Sequence, residues 1–131
     1  MNFKELLYEK QIKFTKQRKH IIDVLESSNK PLSLDEIQSR CKEIDFSSIY
    51  RTIKLLIENQ IVSEHYFGDR KPKYSLQLSK KHNHFIKCIR CGRIEEIKNV
   101  CIIDEVDKKT DYKILDHYME FTGLCPECSK K

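Results

Sequence analysis

Residues 47–78 read SSIYRTIKLLIENQIVSEHYFGDRKPKYSLQL, and the order of the two halves decides the fold. In the first half Ser47 reads as a helix cap, and Ile49, Ile53, Leu56 and Ile57 share one helical face while Tyr50, Arg51 and Lys54 point elsewhere. A polar face biased to Ser48, Tyr50, Arg51 and Lys54 near the helix start has the layout of a DNA-recognition helix. Arginine pairs with guanine edges, tyrosine packs on thymine methyl groups, and the helix start lies close to phosphates. An ordinary surface helix has the same pattern, so the second half must separate the two readings. There Ile61 to Phe67 alternates loosely, Gly68, Asp69 and Pro72 break a charged turn, and Lys73 to Leu78 reads as a returning strand.

Upstream of this stretch the pattern is helical. Thr15 is suited to cap a helix through Ser27, with Ile21, Ile22, Val24 and Leu25 forming its apolar side. Ser33 and Glu36 have capping-box spacing, and Leu34, Ile37 and Cys41 form one stripe to about Lys42. Three helices followed by a basic-tipped hairpin describe a winged helix-turn-helix domain. From Lys10 to Ile22 stand Lys10, Lys13, Lys16, Arg18 and Lys19 with no acidic residue, a run that suits phosphate contacts and equally a solvated helix face.

The second half reads as mixed. His82 to Ile89 and Arg93 to Ile97 have strand character around a turn at Cys91-Gly92, Val100 to Lys109 has helix character, and Tyr112 to Phe121 reads as a strand. Cys88 with Cys91 and Cys125 with Cys128 are two pairs of identical spacing, the four thiolates that tetrahedral zinc requires. A redox pair is the competing reading, but such a pair is usually single and needs no twin. His82 and His84, two apart on a strand, can face one further metal. About 55 residues make a thin core. An obligate homodimer would cover it and would match a palindromic site in double-stranded DNA. The expected fold is therefore α+β, with a winged-helix DNA-binding domain and hinge over 1–75 and a small α/β dimerisation and metal-binding domain over 76–131.

Composition bounds this reading without deciding it. The chain has 131 residues, 39% hydrophobic, and a net charge of +5, with 14 basic and 11 acidic side chains over residues 1–75 and 11 and 9 beyond. The charged N-terminus and the absence of a long apolar run point to a cytoplasmic protein with no membrane partner, and its six cysteines to a reducing compartment. Cys41 and Cys101 lie outside the pairs. Cys41 reads as a buried helix residue and Cys101 as a semi-buried thiol, with metal ligation by Cys101 the lesser reading. An enzyme is disfavoured. Zinc deaminases place a glutamate two residues after a ligand, where this chain has His82-Asn-His84, and no nucleophile–base motif or glycine-rich phosphate loop appears among three glycines.

Four stretches together resemble the ferric uptake regulator family of bacterial metal-responsive repressors. They are Phe14-Thr-Lys-Gln-Arg18, Phe46-Ser-Ser-Ile-Tyr-Arg51, His82-x-His84 running into Cys88-x-x-Cys91-Gly92, and His117 leading to Gly123-Leu-Cys125-Pro-x-Cys128. The resemblance covers nearly the whole chain. It implies that the four cysteines hold structural zinc, that Tyr50 and Arg51 contact bases and that Lys13 approaches the minor groove. It also implies a second, regulatory divalent metal.

For that metal the expected set is His65, His82, His84 and Glu96, with His117 matching a family ligand of an additional site. Two usual ligands are absent, since Lys30 and Ser75 or Leu76 stand at their positions. The segment from His84 to Cys88 is one residue longer than is usual in the family, so a strand without a bulge would turn the histidines to the opposite face. The partners expected around His117 correspond to Lys81, Asn83 and Ile103, none a good ligand, which leaves a structural hydrogen bond as its other reading. The stretch Glu95 to Cys101 is similar to zinc-uptake regulators and implies Zn2+ as the sensed metal, with Fe2+ or Mn2+ as alternatives. A peroxide-stress regulator and a DNA-binding member with a decayed sensor are the other readings.

Overall fold

The computed structural model describes residues 3–77, 84–98 and 100–130, so His82 and Leu78 lie outside the described residues. Helix α1 (Phe3–Glu9) has no counterpart in the sequence expectation. Its seven residues are too few to display a period, yet Phe3 and Leu7, four apart, both reach the core.

Helix α2 (Lys16–Ser27) starts as expected, with the Thr15 hydroxyl accepting the Arg18 N–H at 3.2 Å. Helix α3 (Leu34–Arg40) carries the complete capping box: Ser33 Oγ accepts the Glu36 N–H and Glu36 Oε1 accepts the Ser33 N–H, both at 3.1 Å. Helix α4 (Phe46–Glu58) corrects the expected cap. Asp45, not Ser47, occupies the N-cap, because its carboxylate accepts both the N–H of Ser48 at 3.1 Å and the Ser48 hydroxyl at 2.7 Å. Ile49, Thr52, Ile53 and Leu56 form the buried face of α4.

Strands β1 (Val62–His65) and β2 (Lys73–Leu76) pair antiparallel from Val62↔Leu76 to His65↔Lys73 and make the wing. Leu32, just ahead of α3, exchanges backbone hydrogen bonds with Tyr74 at 2.9 and 2.7 Å and stitches the wing to the helices. The reversal after β1 has Phe67 and Gly68 at φ of 50° and 79°, a left-handed bend for which glycine is suited.

Strand β3 (His84–Cys88) lies between antiparallel β4 (Ile94–Ile97) and parallel β5 (Phe121–Gly123). A parallel neighbour needs a long crossover. Helix α5 (Ile103–Asp107) and the irregular stretch after it supply it. The strand expected over 112–121 is confined to β5, because the residues before it have no ladder neighbour among the described residues. A short helix α6 (Pro126–Ser129) ends the described chain.

Burial is unequal between the halves. One apolar cluster joins α1 through α4 and the wing, including Leu7, Ile22, Leu32, Ile37, Ile53 and Tyr74. The cluster beyond the wing consists of Cys88, Cys125 and Cys128. No helix among the described residues is long and apolar enough to cross a membrane.

Candidate functional site

The pairing of β3 with β5 sets Cys88 opposite Gly123 and so carries the second cysteine pair to the first. Each pair is built alike. The Cys91 N–H points at Cys88 Sγ at 3.5 Å, and the Cys128 N–H at Cys125 Sγ at 3.4 Å. All four sulfurs lie within 4.8 Å of one another, and Cys91 Sγ is 3.8 Å from Cys125 Sγ. Four sulfurs around one zinc, at Zn–S of about 2.3 Å, stand about 3.8 Å apart, so the donor set fits a tetrahedral ion. The Cys91 N–H, ahead of that of Cys125, draws the Cys88 thiol down to about 5, while the hydrogen bond to Cys125 sulfur and burial push Cys128 up to about 12. Zinc would hold all four as thiolates. Around them, Arg90 donates to the Cys128 carbonyl at 2.9 Å and Arg93 pairs with Glu127 at 3.3 Å.

A second cluster forms at the other end of β3. His84 is 1% exposed, and its Nδ1 lies 2.9 Å from the Met119 carbonyl. A carbonyl only accepts, so Nδ1 is the donor, and in the neutral ring Nε2 keeps its lone pair. That Nε2 is 3.3 Å from His117 Nε2, which in turn is 3.4 Å from Cys101 Sγ. Around one zinc, nitrogens at about 2.0–2.1 Å and sulfur at about 2.3 Å give N···N of about 3.3 Å and N···S of about 3.6 Å. Two imidazoles and one thiol thus converge at metal-ligand spacing, with an outer carbonyl fixing one tautomer.

The register of β3 explains the pairing with His117. His84↔Ile97 through Lys87↔Ile94 run without a bulge, so the longer segment before Cys88 does turn His84 to the face on which His117 lies. Glu96 stands opposite Phe85 and hence on the other face of the sheet from His84. The described structure does not bring Glu96 to the cluster. His65 lines the same cavity of about 50 Å³ as His84 and His117. Its Nε2, however, is 2.7 Å from Ser75 Oγ, and its ring stacks on Phe67 and meets Phe85 edge-on. Ile103 is buried, and Cys101, for which metal ligation was the lesser reading of the sequence, supplies a donor near His117. The signal was present as the extra residue between His84 and Cys88, but the approach of Cys101 is a contact between loops with no period to read.

Glu120 was also not legible. One carboxylate oxygen accepts the Tyr66 N–H and the other the Phe67 N–H, each at 2.7 Å, so the segment carrying His117 grips the wing. Lys87 adds an ion pair to Asp69 of the wing turn.

On the exposed side of α4, Ser48 Oγ donates to Asp45 and accepts from Arg51 Nη2 at 3.3 Å, while the Lys54 ammonium lies 5.5 Å from the Tyr50 ring centre. The Ser48 hydroxyl and N–H hold the Asp45 carboxyl below its usual range. Arg18 donates to the Lys13 carbonyl at 2.6 Å and fixes the approach to α2. Arg70 and Lys71 are exposed at the wing tip. Three arginines, three lysines and a tyrosine are therefore offered by α4, the wing and the start of α2, an arrangement that suits a nucleic-acid backbone and groove.

The profile of the Ferric uptake regulator family matches residues 9–122. The ferric uptake regulation protein of Bacillus subtilis is 30% identical over 98% of this chain and 93% of its own, and that of Campylobacter jejuni is 29% identical over 98% and 87%. Among solved structures, the Helicobacter pylori ferric uptake regulator, described as having three functional metal-binding sites, superposes with a TM-score of 0.70 at 28% identity, covering 98% of this chain and 90% of that one. With a winged helix, a four-cysteine centre and a histidine cluster between them, the chain belongs to the Ferric uptake regulator family and is with it a metal-responsive transcriptional regulator, not an enzyme.

Proposed function

We propose that the chain is a cytoplasmic, homodimeric repressor of metal-ion homeostasis genes that reads a palindromic operator through α4 and the wing when a divalent metal, zinc, occupies the second site. In this reading 1–75 bind DNA and 76–131 dimerise and hold metal. Exposed Tyr112, Leu115 and Tyr118 support the homodimer, being apolar surface beside a thin core.

The observation that carries the proposal is the distance of only three residues between His117 and Glu120. His117 belongs to the metal-spaced cluster, and Glu120 holds the wing by two backbone N–H groups at 2.7 Å. A bound cation would supply a cross-link between His84 of β3 and His117. Glu120 then has one position rather than many, and the wing and α4 follow it. A DNA-competent shape favoured about 100-fold, near 2.7 kcal/mol, gives useful control. The test is operator affinity with the four-cysteine zinc retained and the second metal removed. The expected result is a loss of about 100-fold, and equal affinity in both states overturns the reading.

A further inference from the structure

We propose that Cys101 is the third ligand of the second site, and that its thiolate makes this a nitrogen–sulfur centre for a borderline divalent cation of the zinc class in preference to manganese. The inference rests on the reading of that site as a metal site and adds its donor set and selectivity. Cys101 precedes α5 and is half-buried, whereas Cys41, the other cysteine outside the four-cysteine centre, is fully enclosed in the N-terminal core. Its Sγ lies 3.4 Å from His117 Nε2, and the same nitrogen lies 3.3 Å from His84 Nε2, so one point can serve all three donors.

Chemistry then selects the ion. Thiolate and imidazole together suit zinc and cobalt, while manganese and magnesium prefer carboxylate, carbonyl and water oxygen. The carboxylate expected at this site, Glu96, stands on the far face of the sheet, which leaves a donor set dominated by nitrogen and sulfur. Binding converts Cys101 from thiol to thiolate and releases one proton to solvent. The competing reading is a thiol hydrogen-bonded to His117, which would leave the metal preference to the imidazoles alone.

Cobalt(II) distinguishes the two. The full-length protein, its four-cysteine site filled with zinc, is titrated with one further equivalent of cobalt(II). The expected spectrum has a near-ultraviolet sulfur-to-cobalt charge-transfer band and the intense visible bands of a four-coordinate ion. In Cys101→Ser the near-ultraviolet band disappears. Zinc affinity should fall by more than the roughly 10–100-fold that loss of an outer-shell partner costs, and the preference for zinc over manganese should shrink. Cys41→Ala keeps the band, and retention of one zinc per chain in each variant confirms an intact four-cysteine site.

A wild-type titration without the sulfur band, or a band that survives in Cys101→Ser, overturns the assignment. The wild-type spectrum decides this even if the variant misfolds. Operator binding measured on the same samples separates this proposal from the repressor reading. A sulfur band that disappears in Cys101→Ser, with DNA affinity indifferent to the second metal, upholds the ligand and defeats the repressor. Metal-dependent DNA binding without the band does the reverse.

Discussion

The Glu120 carboxylate accepts the Phe67 N–H at 2.7 Å and through its second oxygen the Tyr66 N–H, joining two residues 53 positions apart in sequence. Both donors sit where the chain turns out of β1, and Phe67 adopts a positive φ of 50° there. A carboxylate that accepts two backbone N–H groups restrains that bend, whereas a glutamine has a single carbonyl oxygen to offer. Glu120→Gln is therefore expected to weaken metal-dependent operator binding about 3- to 10-fold, the range for one lost hydrogen bond of ordinary net strength, about 1 kcal/mol. Metal affinity at the second site should change little. Titrations of DNA and of metal against the same variant check this, and an unchanged DNA response means the latch does not couple the site to the wing.

Arg51 is pre-aimed by Ser48, whose hydroxyl is itself held by the Asp45 cap. Arg51→Ala should cost about 1–3 kcal/mol of discrimination at one base position. Ser48→Ala should weaken the same discrimination in part, since the guanidinium loses its support. Competition with operators altered one base at a time is the measurement. A loss uniform across all sequences identifies Arg51 as a phosphate contact instead.

What the sequence made legible was local. The caps Thr15 and Ser33 are legible because a side chain bonds a backbone N–H three residues on, and both are found as read. Ser47 misled because Asp45 and Ser47 both suit a cap, and only the geometry of Ser48 chooses between them. The four cysteines were legible from spacing alone. Their partner site was legible only in part: His84 and His117 were expected as ligands of separate sites and Cys101 as the lesser reading, but their convergence was not, since the three come from a strand, an irregular crossover and a loop. No periodicity links such segments. His65 illustrates the converse: its type suited a metal, and its place on β1 gave it Ser75 and two aromatic rings as neighbours.

Glu36 joins the α3 cap to the wing, accepting the Ser33 N–H and pairing with Lys73 at 3.2 Å. Burial alone would raise its carboxyl, but the Ser33 N–H and then Lys73 outweigh it and hold the group below its usual value. A carboxyl depressed on folding stabilises above its unfolded pKa and loses that contribution as pH falls through the folded one. Glu36→Gln keeps a cap acceptor and loses the ion pair, which is partly exposed and contributes about 0.5 kcal/mol at neutral pH. Urea midpoints should differ at pH 7 and converge in acid below the usual carboxylate range. A difference that persists there assigns the effect to packing.

Removal of the four-cysteine metal should act on one half of the chain. The helices and wing share a broad apolar cluster, but the buried cluster beyond the wing is formed by Cys88, Cys125 and Cys128 themselves. Phe85 and Ile103 are buried there too but lie outside that cluster, so among the described residues the β3–β5 pairing depends chiefly on what binds those sulfurs. Structural zinc in small domains contributes about 10–16 kcal/mol at neutral pH, more than the roughly 5–15 kcal/mol by which whole domains are stable. A strong chelator, or Cys128→Ser, is therefore expected to unfold the region of β3, β5 and α6 while α2 to α4 keep their helical circular dichroism. Backbone amide exchange on the full chain locates the change. Protection should vanish at Ile89, whose N–H bonds the Gly123 carbonyl at 2.9 Å, and persist at Ile53 in the α4 core. Protection retained at Ile89 in the metal-free protein would mean that the sheet holds without the ion, and the four sulfurs would then need a role other than the clamp of this half.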